Sequence, residues 1–290
     1  MKSFSKLAAA AAIVLVGTGP VYAQKASAGQ KTAAARLGGK PNLNGVWQVM
    51  GGPNWNLEPH DAAEAPAASE LIGAIGAIPP GLGVVEGGQI PYKPDAIAKR
   101  DENRKGAPTK DPEAACYLPG IPRATYMDHP FQIIQGDSGD MLFAYEYTAA
   151  NRAIHMQNVE VPPIDTWMGT SYGAWDGDTL KVTTLAQSPG DVILPGGATE
   201  AGVTWLDRSG NYLTNTATVT ERFKLIDPTH IAYEATIDDP SVYSKPWKIS
   251  MTLYKRTEPN AQLLDFRCVP FADKLLYGDL LKDKDKYPRK

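Results

Sequence analysis

The sequence predicts an all-β fold: an antiparallel meander closed into a barrel of about eight to ten strands, with an N-terminal loop and helix segment. Three observations predict it. From residue 131 onward, segment after segment alternates apolar and polar residues with a period of two. Turns containing glycine and aspartate separate these segments at short intervals. A meander with so many short connections loses its exposed edges only by closing on itself.

The chain has 290 residues. It opens with Lys2 and Lys6, the apolar run LAAAAAIVLV, and small residues ending at Ala23. That is the pattern of a secretory signal peptide, residues 1–23, too short for a membrane span and followed by polar sequence. A periplasmic or secreted protein without a transmembrane segment is expected. Removing Lys2 and Lys6, with no acid lost, takes the formal net charge from −3 to −5. Such a charge leaves no basic footprint for nucleic acid. Residues 24–40 have no apolar period and read as a flexible leader. The remainder, 41–290, is expected to be one barrel domain with a loop and helix insertion at 51–130 and a charged, solvated tail, KDKDKYPRK.

A first short strand is expected at Val46 to Met50. Residues 51–93 are rich in Gly, Pro and Ala, and LIGAIGAIPPGLGVVEGG is too broken to form a long helix. It is apolar enough to pack as a lid. KPDAIAKRDENRKG reads as a helix with Pro94 at its start and Gly106 at its end. PFQIIQ and MLFAYEY flank a hairpin turn, GDSGD; RAIHMQNVEV follows, and WDGDTLKVTTL carries an Asp-Gly turn into a strand. After a Gly/Pro loop (188–203) come ATVTERFKLI, HIAYEATID, WKISMTLYKR and AQLLDFRCV, all expected as strands. Trp247, Ile249, Met251 and Leu253 should face inward, with Lys248, Ser250 and Thr252 outward.

The chain holds two cysteines, Cys116 and Cys268. In an exported protein an even count favours a disulfide between them, against two buried free thiols.

The phrases PNLNGVWQ, DPEAACYLPGIPR, MGTSYGAWDGDTLKV, TWLDRSGN, YEATIDDP and KPWKISMTLYKR resemble a large family of uncharacterised secreted bacterial proteins. The likeness runs over nearly the whole chain after the leader. It implies export and a β-barrel, and no activity. Family members often carry histidines in the strand after the TWLDRxGN phrase, where this chain has Leu213 and Thr218, so any role of those histidines is lost or changed here. Gly45-x-Trp47 separately resembles the opening of lipocalins, which implies a calycin-like barrel.

Several strings look chemical and have plainer explanations. GDSG (136–139) matches a serine-protease nucleophile string, but Asp140 follows and a hairpin turn accounts for it. DGD (176–178) lacks the spaced oxygens of a calcium loop. His60, His129, His155 and His230 show no metal-ligand spacing, so no metal is expected. No nucleotide, haem or flavin motif occurs, so no cofactor is expected.

One strand carries a carboxylate on its apolar face. In NTATVTERFKL, Ala217, Val219, Phe223 and Leu225 share a side with Glu221. A buried carboxylate is tolerable when paired. Arg152 and Arg222 are the candidate partners, and Arg152 shares a face with Ile154 and Met156. The pair could simply order the barrel, or Glu221 could serve as a general acid or base in an apolar cavity. PRATYMDHPF adds Arg123, Tyr126, Asp128 and His129 just before a strand, where the barrel mouth would be, and His129 is the best base by its intrinsic pKa. Trp167, Tyr172, Trp205, Asp207 and Arg208 lie on connecting segments beside Asp165. They suit either a ligand-lined mouth or loop packing.

Two functions compete on these residues. One is an exported enzyme using Glu221, His129 and Tyr126 for acid/base chemistry on a small, mostly apolar or aromatic molecule. Arg152, Trp167, Tyr172, Trp205, Asp207 and Arg208 would then bind the substrate. The other is a lipocalin-like carrier or sensor that only binds such a molecule. A structural envelope protein is less attractive because so many loop residues are polar or aromatic.

Overall fold

A computed structural model describes residues 35–64, 77–107, 110–157, 159–161, 163–193 and 199–270, with backbone alone for 191–193 and 199–201. The expected signal peptide, most of the expected leader and the charged tail lie outside the described residues.

Among the described residues, nine strands close into a barrel. They are β1 (Gly45–Val49), β2 (Phe131–Ile134), β3 (Met141–Tyr145), β4 (Asn151–His155), β5 (Thr170–Asp176), β6 (Thr179–Leu185), β7 (Thr218–Asp227), β8 (His230–Asp238) and β9 (Trp247–Lys255). Each strand pairs with its neighbours in sequence, and β9 returns to β1 through Leu253↔Val49. The expected meander is therefore present, with one difference. β4 and β5 run parallel, at Ile154↔Ser171 and His155↔Tyr172. The reason is parity: strand directions cannot alternate all the way around a closed ring of nine, so one junction must be parallel. Residues 156–169 supply the long connection that a parallel pair needs.

Glycines fit this seam. Gly169 (φ +64°) makes the turn into β5, where a side chain would strike Leu185 O at 2.6 Å. At Gly173 a Cβ would meet Met156 Sδ at 2.5 Å, so the crossover packs directly on the strand.

A second difference concerns AQLLDFRCV, which forms no strand. β9 already pairs with β8 and β1, so the barrel offers no edge to a tenth strand. The segment is held instead by the Cys116–Cys268 disulfide (Cα–Cα 5.7 Å). Leu264 N also donates to Glu146 Oε2 (2.8 Å).

Alternation fills the interior. Val219, Glu221 and Phe223 of β7 are buried, and so are Ile231, Tyr233, Ala235 and Ile237 of β8. Trp247, Ile249 and Leu253 are buried as expected, and Met251 is half-buried. Aromatic rings meet in the interior: Phe131 with Tyr145 (5.4 Å) and Phe223 with Tyr233 (5.1 Å) between neighbouring strands, and Phe143 with Phe223 (5.4 Å) across the barrel. Rings therefore occupy the level of the barrel where a lipocalin-like cavity was expected.

The insertion covers one end. Val85 bridges Ile249, and Ser250 N donates to Val84 O (2.9 Å), so residues 84–86 run beside β9 where the short β1 stops. Helix α1 (Pro94–Gly106) matches its expected bounds, and a short helix α2 (Arg123–Tyr126) follows in the chain before β2. The end of the leader forms a small hairpin, Arg36–Leu37 with Lys40–Pro41. Arg36 pairs with Asp178 in the β5–β6 turn (2.7 Å). No described helix is long and apolar enough to cross a membrane.

Candidate functional site

Glu221 points inward and is fully buried. Its ladder partners are Val182 of β6 and Ala235 of β8. Arg152 reaches it from β4 and donates to Oε2 through Nη2. The same guanidinium donates to Ser171 Oγ (2.8 Å) and Thr184 Oγ1 (2.7 Å). Glu221 Oε1 accepts from Tyr233 OH (2.8 Å) and Thr125 Oγ1 (3.3 Å). Burial, and then the Glu221 charge, hold the Tyr233 phenol well above its usual pKa, so it stays a donor. Burial opposes the Arg152 charge, but Glu221, followed by the neighbouring Tyr145, more than offsets this and the guanidinium pKa is raised. The Arg152 Nη1 group and the Tyr145 hydroxyl are buried without a hydrogen-bond partner. Of the two candidate partners, Arg152 is the one that pairs with Glu221. Arg222 faces outward to Asp176 (2.8 Å), as a position one residue away on a strand must.

His129 and Tyr126 do not join this group by hydrogen bonds. His129 sits 3.5 Å from Glu146 and packs against Phe266 (4.5 Å) and Tyr147 (5.7 Å). Tyr126 is buried and donates to Leu206 O (2.7 Å), which anchors a loop.

Asp207, Arg208 and Arg123 belong to a polar cap on the loops. Buried Arg123 makes a two-pronged contact with Asp111 (2.7 and 2.8 Å), and reaches Glu113 (2.6 Å) and Asn54 (2.8 Å). Arg208 donates to both Glu113 oxygens (2.6 Å to Oε1, and 2.9 Å to the Oε2 it shares with Arg123), pairs with Asp128 (3.1 Å) and lies over Trp55 (4.4 Å). Asp207 accepts from Leu57 N (2.9 Å) and Asn211 Nδ2 (2.6 Å). Every one of these groups is satisfied by another part of the fold, which marks a loop-locking network.

The cap makes a pH prediction. Burial pushes the Glu113 carboxyl up, but Arg123 and Arg208 together pull it down to about 2. A carboxyl whose folded pKa is depressed stabilises above its unfolded value and loses that contribution as pH falls. Stability should therefore decline between the ordinary glutamate value, about 4.3, and pH about 2. Denaturant midpoints measured across that window should fall less steeply for Glu113→Gln than for the wild type. An equal slope in both proteins would show that Glu113 does not carry the effect.

Two clefts lie beside the parallel seam. The β4–β5 ladder begins only at Ile154, so Asn151, Arg152 and Ala153 have no strand partner on that side. A cleft of about 360 Å³ fills the gap, lined by Asn151, Arg152, Ala153, His155, Glu160 and Ser171 among others. The strap at residues 165–169, tied to Ala186 and Ser188 by Thr166, separates this cleft from a second of about 450 Å³. Trp167, Asp165, Leu118, Ser188 and Pro189 line the second cleft, and Thr166 and Met168 line both, so the two adjoin across the strap as halves of a divided trough.

Trp167 stacks on Tyr117 (4.8 Å, 13°). Trp205 is buried beside a small crevice floored by Arg123. Tyr172 is half-buried, and its hydroxyl is buried without a hydrogen-bond partner.

One trough residue, His155, and the Asp140 that holds it went unselected in the sequence. His155 lines the first cleft, and its Nδ1 meets Asp140 Oδ2 at 2.9 Å. The other Asp140 oxygen accepts from Met156 N (2.8 Å), and that bond, followed by the one from His155, lowers its pKa. Asp140 thus fixes the imidazole and leaves Nε2 for other partners. The signal was available in the hairpin register, because Met141↔Ile154 places residues 140 and 155 side by side.

Among the described residues, no group of three or more His, Cys, Asp or Glu side chains is placed to hold a metal ion. No protein-family model matches the chain, and neither a curated protein nor a solved structure does.

Proposed function

We propose that this chain is a binding protein, a carrier or sensor, that holds a small molecule in the trough along the β4–β5 seam. The observation that carries this reading is the seam itself. The parallel junction leaves an unpaired stretch of wall with a cleft of ligand size beside it. Glu221 supports binding over catalysis. A general acid or base must come within hydrogen-bond reach of its substrate, and both Glu221 oxygens are already taken inside a filled barrel. The Cys116–Cys268 disulfide supports an oxidising compartment, and with it export to the periplasm or beyond.

The acid/base enzyme remains as a second reading, moved to new residues. The fixed Asp140–His155 pair at the edge of the cleft favours it.

Ala153 tests the primary reading. It is exposed on β4 and lines the first cleft, so Ala153→Trp should fill the cleft with little cost to folding. A thermal-shift screen of small molecules should yield ligands that stabilise the wild type and leave Ala153→Trp unmoved. Ligands that stabilise both equally would place binding elsewhere.

A further inference from the structure

The second half of the trough has the chemistry of a sugar site. We infer that it takes a neutral oligosaccharide, with one pyranose ring stacked on Trp167. This rests on the reading of the trough as the binding site.

Trp167 is held as a platform. One face lies nearly parallel to Tyr117, and the indole walls the 450 Å³ cleft with Leu118 and Pro189. A braced ring has little rotamer freedom left to lose on binding. The face of an indole is the negative pole of its quadrupole. The flat C–H face of a pyranose carries the complementary weak positive charge.

Polar groups stand at the edge of this platform. Asp165 Oδ2 accepts from Asn215 Nδ2 (3.2 Å), and both residues are exposed. The pair still offers a carboxylate acceptor, an amide acceptor and a second amide N–H. Neighbouring sugar hydroxyls each donate and accept, so a mixed set of this kind serves them both. Ser188 and Thr166 add hydroxyls along the same wall, and Asn151 and His155 continue the polar lining into the first cleft.

Other ligand classes fit less well. Asp165 and Glu160 repel a phosphate or carboxylate. A purely apolar ligand would bury those carboxylates without partners. A quaternary ammonium would welcome the acids, but it is held by rings on several sides. Here the second ring lies behind the first.

Calorimetric titration with cellohexaose, maltohexaose, xylohexaose and choline decides the matter. At least one hexasaccharide should bind. Trp167→Ala should then lose about tenfold in affinity, and Trp167→Phe, which keeps a smaller ring, about two- to threefold. Unchanged midpoints of unfolding in Trp167→Phe guard against a folding artefact. Binding of choline alone, binding of no hexasaccharide, or equal affinity in Trp167→Ala would overturn the inference. If none of the sugars binds but another molecule does, and Ala153→Trp blocks it, the sugar class falls and the trough stands. If no ligand of any class binds, both fall.

Discussion

Replacing Glu221 with glutamine is expected to lower the free energy of unfolding by about 3–5 kcal/mol. The substitution keeps the shape and the oxygen that accepts from Tyr233 and Thr125. What it removes is the charge opposite Arg152. That guanidinium is about as buried as the carboxylate it faces, with side-chain exposures of 1 % and 0 %. Its remaining partners are the neutral hydroxyls of Ser171 and Thr184. An arginine cannot shed its proton to relieve the strain, so the cost stays in the folded state. Denaturant titration should show a lower midpoint with an unchanged slope.

A partner experiment separates the cost of an orphaned charge from the worth of the pair. Arg152→Met with Glu221→Leu removes both charges and leaves apolar groups of similar size. Such exchanges are often close to neutral, although Tyr233 and Thr125 lose their acceptor, at about 1–3 kcal/mol for a buried group left unsatisfied, while Ser171 and Thr184 keep each other (2.9 Å). The double variant should therefore be more stable than the sum of the two single losses implies, with a coupling of about 1 kcal/mol or more. Additive losses would mean that Arg152 and Glu221 act independently and that the ion pair is not the centre of the core.

Much of this was legible in the sequence because β-strands have a strict period. The apolar face of residues 217–225 required Glu221 to point inward, and the same parity turned Arg222 out to Asp176. Arg152 was legible as a partner through its neighbour Ile154. The parallel seam was not legible, because it follows from the number of strands around the whole ring, and no local segment records that number. The clefts followed the seam out of sight. AQLLDFRCV misled for the same reason: its pattern suits a strand, but a closed barrel has no edge to give it. His129 and Tyr126 are a different case. A loop before a strand can reach the barrel mouth, yet here packing on Tyr147 and Phe266 and a carbonyl of Leu206 claim the two side chains.

Breaking the disulfide should have an effect of similar size by a different route. Cys116 and Cys268 are 152 residues apart, and in the chain-entropy model a crosslink over such a loop stabilises by about 5 kcal/mol. Little of that is visible in the folded contacts. The segment it holds is tethered through Leu264 N and the ring of Phe266, and residues 263–270 are largely exposed. The gain therefore belongs chiefly to the unfolded chain. The crosslink joins the stretch before β2 to the stretch after β9, and so shortens the search by which β9 finds β1 and closes the ring. Cys116→Ser with Cys268→Ser should fold more slowly than the oxidised protein while unfolding at nearly the same rate. Stopped-flow refolding and unfolding, each compared with the oxidised wild type, measure the two limbs. If the loss appears in the unfolding rate instead, the segment at 261–270 braces the folded barrel more firmly than its exposed contacts indicate.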